Sequence, residues 1–139
     1  MNIKRLLLAI LTGWVVVFAT DYLIHELWMG PVYAATKPLW RSESEMPAYF
    51  CWILVAQFLI VTTFVIVWAK GFAGRSIGAA VSFGLLMGIF QQTWAIILFA
   101  VMPLPAELAM KWFFAGLVQA VVLGIVTSLI YKPAPASAL

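Results

Sequence analysis

The sequence has few charged residues and almost no cysteine or histidine. Charged residues make up 9% of its 139 residues, and it contains one cysteine and one histidine. Because 65% of the residues are hydrophobic, a water-soluble domain of this size could not bury them all in its core. The lone Cys51 also excludes an intrachain disulfide and a cysteine-rich metal site. The composition therefore predicts a protein that is solvated by a lipid bilayer.

Three classes of function find little support in the sequence. The net charge of +3 comes from basic residues scattered between apolar runs, so we expect no nucleic-acid partner. No nucleophile stands beside a base and no phosphate-binding glycine loop is present, so we expect no enzyme and predict no catalytic residue. His25 with Asp21 and Glu26 is a weak metal set, and one histidine cannot supply bis-histidine haem ligation within one chain. Haem or metal carriage is therefore the weakest hypothesis, no metal site is predicted, and the cofactor is left open.

Four apolar runs have the length of a membrane-spanning helix. About twenty residues, each rising about 1.5 Å, cross the roughly 30 Å of hydrocarbon in a bilayer. We predict an all-α integral membrane four-helix bundle with spans at residues 6–28, 48–69, 76–101 and 108–131. Residues 30–47 are predicted to form an exposed outer loop, and residues 132–139 a short tail rich in Pro, Ala and Ser. The whole chain is then one transmembrane domain.

Basic residues predict the orientation, because cytoplasmic loops are enriched in Lys and Arg. With the N-terminus inside, the inner side holds more of them, namely Lys4, Arg5, Lys70, Arg75 and Lys132 against Lys37, Arg41 and Lys111. We therefore expect both termini in the cytoplasm. A signal peptide that ends near Ala19 is a competing interpretation of the first span. The apolar stretch continues to Trp28, which favours a retained helix.

The first span carries ionisable residues at membrane depth. Its larger side chains recur at spacings of three and four residues, which predicts one stripe that faces protein: Trp14, Phe18, Asp21, His25 and Trp28. Asp21 and His25 are one helical turn apart within this stripe. Ionisable groups at this depth normally face a bundle interior or a wet cavity, since exposure to lipid is costly. These two residues are the best functional candidates.

The other three spans place amides at a comparable depth, namely Gln57, Gln91, Gln92 and Gln119. With Asp21 and His25 they form a polar layer in the predicted outer half. Two interpretations stay open for this layer. In the structural one, the amides hydrogen-bond across helices and hold their register. In the functional one, they form a site for a ligand or ion that enters from outside, where Asp21 supplies the charge.

Small residues recur every fourth position on the last two spans. They are Ala80, Gly84 and Gly88 on the third span and Gly116, Ala120, Gly124 and Ser128 on the fourth. Such stripes let helix backbones approach closely in lipid, where no hydrophobic force draws helices together. We predict that these residues lie at helix contacts. The partner helix belongs either to the same chain or to another.

One stretch of the sequence resembles a known kind of protein. The stretch Asp21 to Trp40 reads DYLIHELWMGPVYAATKPLW, and Pro103 to Pro105 reads PLP. It is similar to a family of small bacterial four-span inner-membrane proteins, in which acidic or histidine residues end the first helix before an aromatic-rich loop. The resemblance implies a multi-pass location in the bacterial inner membrane and implies no catalytic activity.

Two hypotheses of different class follow. The first is a non-enzymatic membrane protein that associates through its helices, as a homo-oligomer or as an accessory subunit of a membrane complex. The second is a small transporter or binder of an ion or a small polar or amphipathic ligand at the polar layer. They differ in whether that layer surrounds a cavity open to the outside or forms a dry hydrogen-bonded seam.

Overall fold

The computed structural model describes residues 1–133, which form helices joined by short turns and contain no strand. Five α-helices follow one another along the chain: α1 (Ile3–Asp21), α2 (Gly30–Ala35), α3 (Met46–Gly71), α4 (Ile77–Val101) and α5 (Ala106–Ile130). A π-helical segment, Tyr22–Trp28, continues α1, and a 3-10 turn, Lys37–Leu39, follows α2. Residues 134–139 of the predicted tail lie outside the described residues.

Four helical segments are long and apolar enough to cross a membrane: Ile3–Trp28, Met46–Gly71, Ile77–Val101 and Ala106–Ile130. The prediction of an all-α four-helix membrane bundle is therefore confirmed. The helices expose large apolar side chains on their outer surfaces; Phe90, for example, is 80% exposed. Such helices are apolar nearly all round, as expected where lipid rather than water surrounds the bundle.

Two N-cap side chains and a glycine turn mark ends of these helices. The Asn2 side chain accepts a hydrogen bond from the Arg5 backbone N–H, and the Ser76 hydroxyl accepts one from the Ala79 backbone N–H. Both are N-caps that satisfy donors left unpaired in a first helical turn. Gly74 adopts a φ of 83° in the turn between α3 and α4, a left-handed conformation that favours glycine. The two helices therefore form an antiparallel hairpin.

Helices α4 and α5 form the closest pair of the bundle. A Cβ atom built on Gly84 would lie 2.6 Å from the Ala120 carbonyl oxygen, and one on Gly124 would lie 2.6 Å from the Ala80 carbonyl oxygen. One on Gly88 would lie 3.0 Å from the Ala120 Cβ. The small-residue stripes of the two helices thus face each other within one chain.

Two members of the predicted stripes have other surroundings. Ser128 donates its hydroxyl to the Ile125 carbonyl of its own helix at 2.7 Å. Gly116 lies beneath the side chain of Gln92 rather than against a helix backbone, and a Cβ at Gly116 would overlap the Gln92 amide. Gly116 therefore makes room for a polar side chain in the bundle interior.

Helix α1 packs against α3 and α5. Gly13 lies at this junction, since its Cβ would come within 2.9 Å of both Val61 and Leu123. By contrast, α3 and α4 meet mainly through aromatic side chains. The Phe83 ring lies 4.8 Å from Phe64 and 4.9 Å from Phe72, measured between ring centroids.

We name the two ends of the bundle by what they carry. The terminal end holds the N-terminus, the α3–α4 turn and the end of α5. The α2 end holds α2 and the α4–α5 turn. There Met29, Leu104 and Leu108 form a small apolar cluster that covers the bundle.

The predicted outer loop is wrong in part, because its first half is folded and partly buried. Pro31 does not simply stop the first helix; it lies in the first turn of α2, where a missing N–H costs no hydrogen bond. Met29 and Thr36 are buried on either side of it. This segment lies back over the bundle, whereas residues 41–47 are exposed.

Candidate functional site

The polar residues predicted from the sequence line one cavity between the four long helices. Its volume is about 170 Å³, and we call it the deep chamber. All the predicted polar residues take part in its lining: Asp21, His25, Gln57, Gln91, Gln92 and Gln119. Apolar side chains of Val17, Ile60, Phe64 and Leu123 complete the wall. The structure thus brings together residues that are up to about a hundred positions apart in sequence.

A second cavity of about 240 Å³ adjoins the deep chamber toward the α2 end, and we call it the shallow chamber. Both chambers are lined by Asp21, His25, Gln92, Gly116 and Gln119. The rest of the shallow chamber is apolar or aromatic, with Ile24, Met29, Leu98, Trp112 and Ala115. The two chambers therefore form one cleft. The wall that the chambers share is mainly polar, and the rest of the shallow chamber is apolar or aromatic.

Asp21 is the centre of the hydrogen bonding in the cleft. The Gln57 amide donates to Asp21 Oδ2 at 2.6 Å, and the Gln119 amide donates to Asp21 Oδ1 at 2.7 Å. Hydrogen bonds to an ionised carboxylate are short and stronger than neutral ones. Each carboxylate oxygen therefore has a donor, one from α3 and one from α5.

The Gln119 amide has a second partner on α1. Its Nε2 also donates to the Thr20 hydroxyl at 2.7 Å, and that hydroxyl donates to the Val16 carbonyl at 2.8 Å. Thr20 was not predicted from the sequence, because a threonine one position before Asp21 carries no signal of its own. This contact fixes which amide atoms face Asp21.

The carbonyl end of Gln57 is the unusual feature of the site. Gln57 is only 7% exposed, and its Oε1 has no hydrogen-bond donor among the described residues. The amide cannot turn round to relieve this, because Oε1 would then face the Asp21 carboxylate. An unpaired buried acceptor costs about 1 to 3 kcal/mol. The Gln57 carbonyl oxygen is therefore an unpaired acceptor packed inside the bundle.

His25 lies at the edge of the cleft. Its Nε2 is 4.0 Å from Asp21 Oδ1, which is too long for a hydrogen bond, and its side chain is 43% exposed against 24% for Asp21. Its Nδ1 is 2.7 Å from the Tyr33 hydroxyl. Glu26, the neighbouring carboxylate, is exposed and lines neither chamber.

Tyr33 connects His25 to α5. The Trp112 indole N–H donates to the Tyr33 oxygen at 2.7 Å, and the single Tyr33 hydrogen can be donated either to His25 Nδ1 at 2.7 Å or to Met29 Sδ at 3.5 Å. Burial raises the pKa of Tyr33, an effect that the Trp112 hydrogen bond partly offsets and that the charges of Asp21 and Glu26 reinforce. The hydroxyl thus stays protonated and joins His25 to Trp112.

The π-helical segment sets the position of His25. The Met29 backbone N–H donates to the Ile24 carbonyl at 2.8 Å, five residues back, where an α-helix would bond four back. Such turns are rare and occur often at functional sites. Here the wider turn changes which side chains of residues 22–28 face the bundle.

The predicted stripe of the first span is wrong at Phe18 and Trp28, which are 46% and 49% exposed. The buried face of α1 instead contains Ile10, Gly13 and Val17. It is offset by one residue from Phe18 and packs against α3 and α5. Beyond Asp21 the π-helical turn ends the α-helical period on which the stripe depended.

The side chains of the cleft are a poor set of metal ligands. Among residues 1–133, no group of three or more His, Cys, Asp or Glu side chains is placed to hold a metal ion. The cleft offers one carboxylate, one imidazole and several amides. This set suits hydrogen bonding to a ligand better than metal ligation.

No protein-family model matches the chain, and comparisons with curated proteins and with solved structures find no match.

Proposed function

We propose that this chain is a multi-pass protein of the bacterial inner membrane that binds a small ion or a small polar or amphipathic ligand in the cleft, as a transporter or a binding protein. The proposal takes both termini as cytoplasmic and the α2 end as external. The observation that carries it is the arrangement around Asp21, whose carboxylate lies in a cavity at membrane depth. Neither chamber is lined by Lys or Arg.

A purely structural polar layer would need no cavity. Amides that only hold helix register pack against one another and against apolar side chains, and water or ligand is excluded. Here Asp21, Gln57 and Gln119 do join three helices, yet they also border open volume, and Gln57 Oε1 remains without a donor. The polar lining and the volume together favour a binding site.

Helix-mediated association, as a homo-oligomer or an accessory subunit, stays a prediction. In the sequence, the small-residue stripes leave open whether the partner helix belongs to the same chain or to another. Gly84, Gly88 and Gly124 contact the neighbouring helix of the same chain, so they are not available to a second chain. Ligand binding is therefore the function that the geometry favours.

The test is thermal stability of the purified protein in lipid nanodiscs, with methylammonium, sodium or potassium chloride as probe. A ligand that binds only the folded state raises stability by RT ln(1 + [L]/Kd). We expect at least one of these cations to raise Tm in the wild type and not in Asp21→Asn. Glu26→Gln is the matched control, since it removes a neighbouring carboxylate outside the cleft.

Asn at position 21 retains one acceptor oxygen and the size of Asp, so the fold is expected to survive. Gel filtration and the Tm without added probe check this. Equal Tm shifts in the wild type, Asp21→Asn and Glu26→Gln would contradict the proposal. The absence of a Tm shift with every probe would also contradict it.

A further inference from the structure

We infer that the ligand of the cleft is an organic ammonium ion. Its charged head lies against the Asp21 carboxylate, and its apolar body extends into the shallow chamber. This inference rests on the proposed function and specifies the class of ligand. Two features carry it: a carboxylate in the lining with no Lys or Arg beside it, and an adjoining apolar volume.

The charge of the site calls for a cation. Both Asp21 oxygens accept hydrogen bonds from amides, which are neutral and supply no positive charge. No Lys or Arg side chain lines either chamber, and the one imidazole in the lining, that of His25, lies 4.0 Å from Asp21 Oδ1, too far for a hydrogen bond. Lys111 pairs with Glu107 at 2.7 Å. A charge at this depth requires a partner, because lipid and protein solvate it poorly. A bound cation supplies that partner.

The hydrogen-bonding pattern calls for a donor. The Gln57 and Gln119 amides each donate one hydrogen bond to Asp21, so its two carboxylate oxygens can accept further hydrogen bonds. A primary ammonium group has three N–H donors and no acceptor. It can donate to the carboxylate, whereas a carboxylate or phosphate ligand would be repelled by it.

The set of ligands around Asp21 is poor for a divalent metal ion. Calcium takes about six to eight oxygen ligands, usually from several carboxylates. The cleft has one carboxylate, and the described residues form no cluster of three or more His, Cys, Asp or Glu that could hold a metal. Sodium and potassium remain as alternatives that the experiment separates.

The shallow chamber gives the ligand its apolar part. Ile24, Met29, Leu98 and Ala115 line it together with Trp112. The Trp112 N–H is already bonded to Tyr33, so the indole offers the chamber its apolar ring surface. A chamber of about 240 Å³ beside an ammonium site suits a short alkyl or aryl group.

The first experiment measures binding of n-alkylammonium chlorides, from methyl to hexyl, to the wild type in nanodiscs by thermal shift. Burial of each methylene is expected to tighten binding about fourfold until the chamber is full. The n-alkanols of the same chain length are expected to bind at least about tenfold more weakly, because they lack the charge. In Asp21→Asn the difference between ammonium and alcohol should disappear, and in Glu26→Gln it should remain.

The second experiment fills the shallow chamber. Ala115→Leu is expected to weaken hexylammonium binding at least about tenfold more than it weakens methylammonium binding, since only the longer ligand needs that volume. Val118→Leu is the matched control on the same helix, because Val118 is exposed on the outer surface. If Asp21→Asn fails to fold, Gln57→Met replaces it, and loss of the ammonium preference is again expected.

The outcomes separate the two proposals. Asp21-dependent binding of sodium, potassium or methylammonium with no gain from a longer alkyl chain would overturn the organic-ammonium inference and leave the proposed function standing. Absence of Asp21-dependent binding for every probe would overturn both. Chain-length dependence that Ala115→Leu removes and Asp21→Asn abolishes supports both.

Discussion

The two halves of this bundle are built from the same four helices but are packed in opposite ways. In the half toward the terminal end, glycines bring α4 against α5, and Phe83 with its aromatic neighbours fills the space between α3 and α4. In the half toward the α2 end, the space between the helices is left open and lined with amides and Asp21. One half holds the bundle together, and the other is free to bind a ligand.

The difference has a physical basis in the membrane. Without a hydrophobic force between helices, association depends on close van der Waals contact and on interhelical hydrogen bonds. The terminal half is held by close van der Waals contact. The α2 half is held by interhelical hydrogen bonds from Gln57 and Gln119, which keep its helices in place across an open cleft.

The largest expected effect comes from removing the aromatic filling of the terminal half. Phe83 is buried among Phe64, Trp68 and Phe72, so Phe83→Ala leaves a cavity that the helices cannot close. We expect a loss of about 3 to 5 kcal/mol in unfolding free energy, measured by titration with SDS. The matched truncation in the α2 half, Gln92→Ala, borders an existing cavity and should cost under about 1 kcal/mol. Equal losses would show that the two halves do not differ.

A second effect concerns the close contact of α4 and α5. In Gly84→Leu the new side chain would meet the Ala120 backbone, which cannot move aside without separating the helices. We expect a loss of about 3 kcal/mol and a smaller yield of monodisperse protein in gel filtration. Gly78→Leu is the control on the same helix, since only the Ser76 hydroxyl lies near it, at 3.7 Å. A Gly84→Leu protein as stable as Gly78→Leu would refute the packing described for this half.

Gly116 gives a smaller effect that links packing to the site. A methyl group at this position would collide with the flexible end of the Gln92 side chain, so Gly116→Ala should cost only about 1 kcal/mol while displacing Gln92. In the double variant Gly116→Ala with Gln92→Ala the collision is absent, and the loss should be recovered. A double-mutant cycle on SDS unfolding measures this coupling. Additive losses would mean that Gln92 does not lie over Gly116.

The smallest effect concerns the tyrosine at the α2 end. Because burial raises the pKa of Tyr33 above its ordinary value of 10.0, the folded protein favours the protonated hydroxyl. Its contribution is fully present below the unfolded pKa and is lost as the pH rises through the folded pKa. Tyr33→Phe should therefore cost about 1 kcal/mol at neutral pH and flatten the fall in stability above about pH 10. The same steep fall in Tyr33→Phe and wild type would exclude this role.

The depth of the polar layer could be predicted from the sequence because the helices are antiparallel and joined by short turns. Counting residues from the helix ends then places Gln57, Gln92 and Gln119 at the level of Asp21. The four spans could be predicted from the length of the apolar runs, because each run is long enough to cross a bilayer. What remains a prediction is that a ligand binds there.

Other parts of the site carry no local signal. The π-helical segment depends on a hydrogen bond from the Met29 backbone N–H to the Ile24 carbonyl, and no pattern in the sequence predicts this bond. Tyr33 reaches His25 only because residues 30–40 fold back over the bundle, and the position of Trp112 follows from that packing. Gly13 was missed because a single glycine lacks the repeat that marks a stripe.

The most direct test of an open, anionic cleft is chemical labelling of an engineered cysteine, after Cys51→Ser removes the native one. Gln92→Cys is treated with methanethiosulfonate reagents that carry either a trimethylammonium or a sulfonate group. We predict that the cationic reagent reacts at least about tenfold faster, and that Asp21→Asn abolishes this preference. Ala80→Cys, which is fully buried in the terminal half, should not react with either reagent. Equal rates for the two reagents at position 92, or no reaction there, would contradict the account.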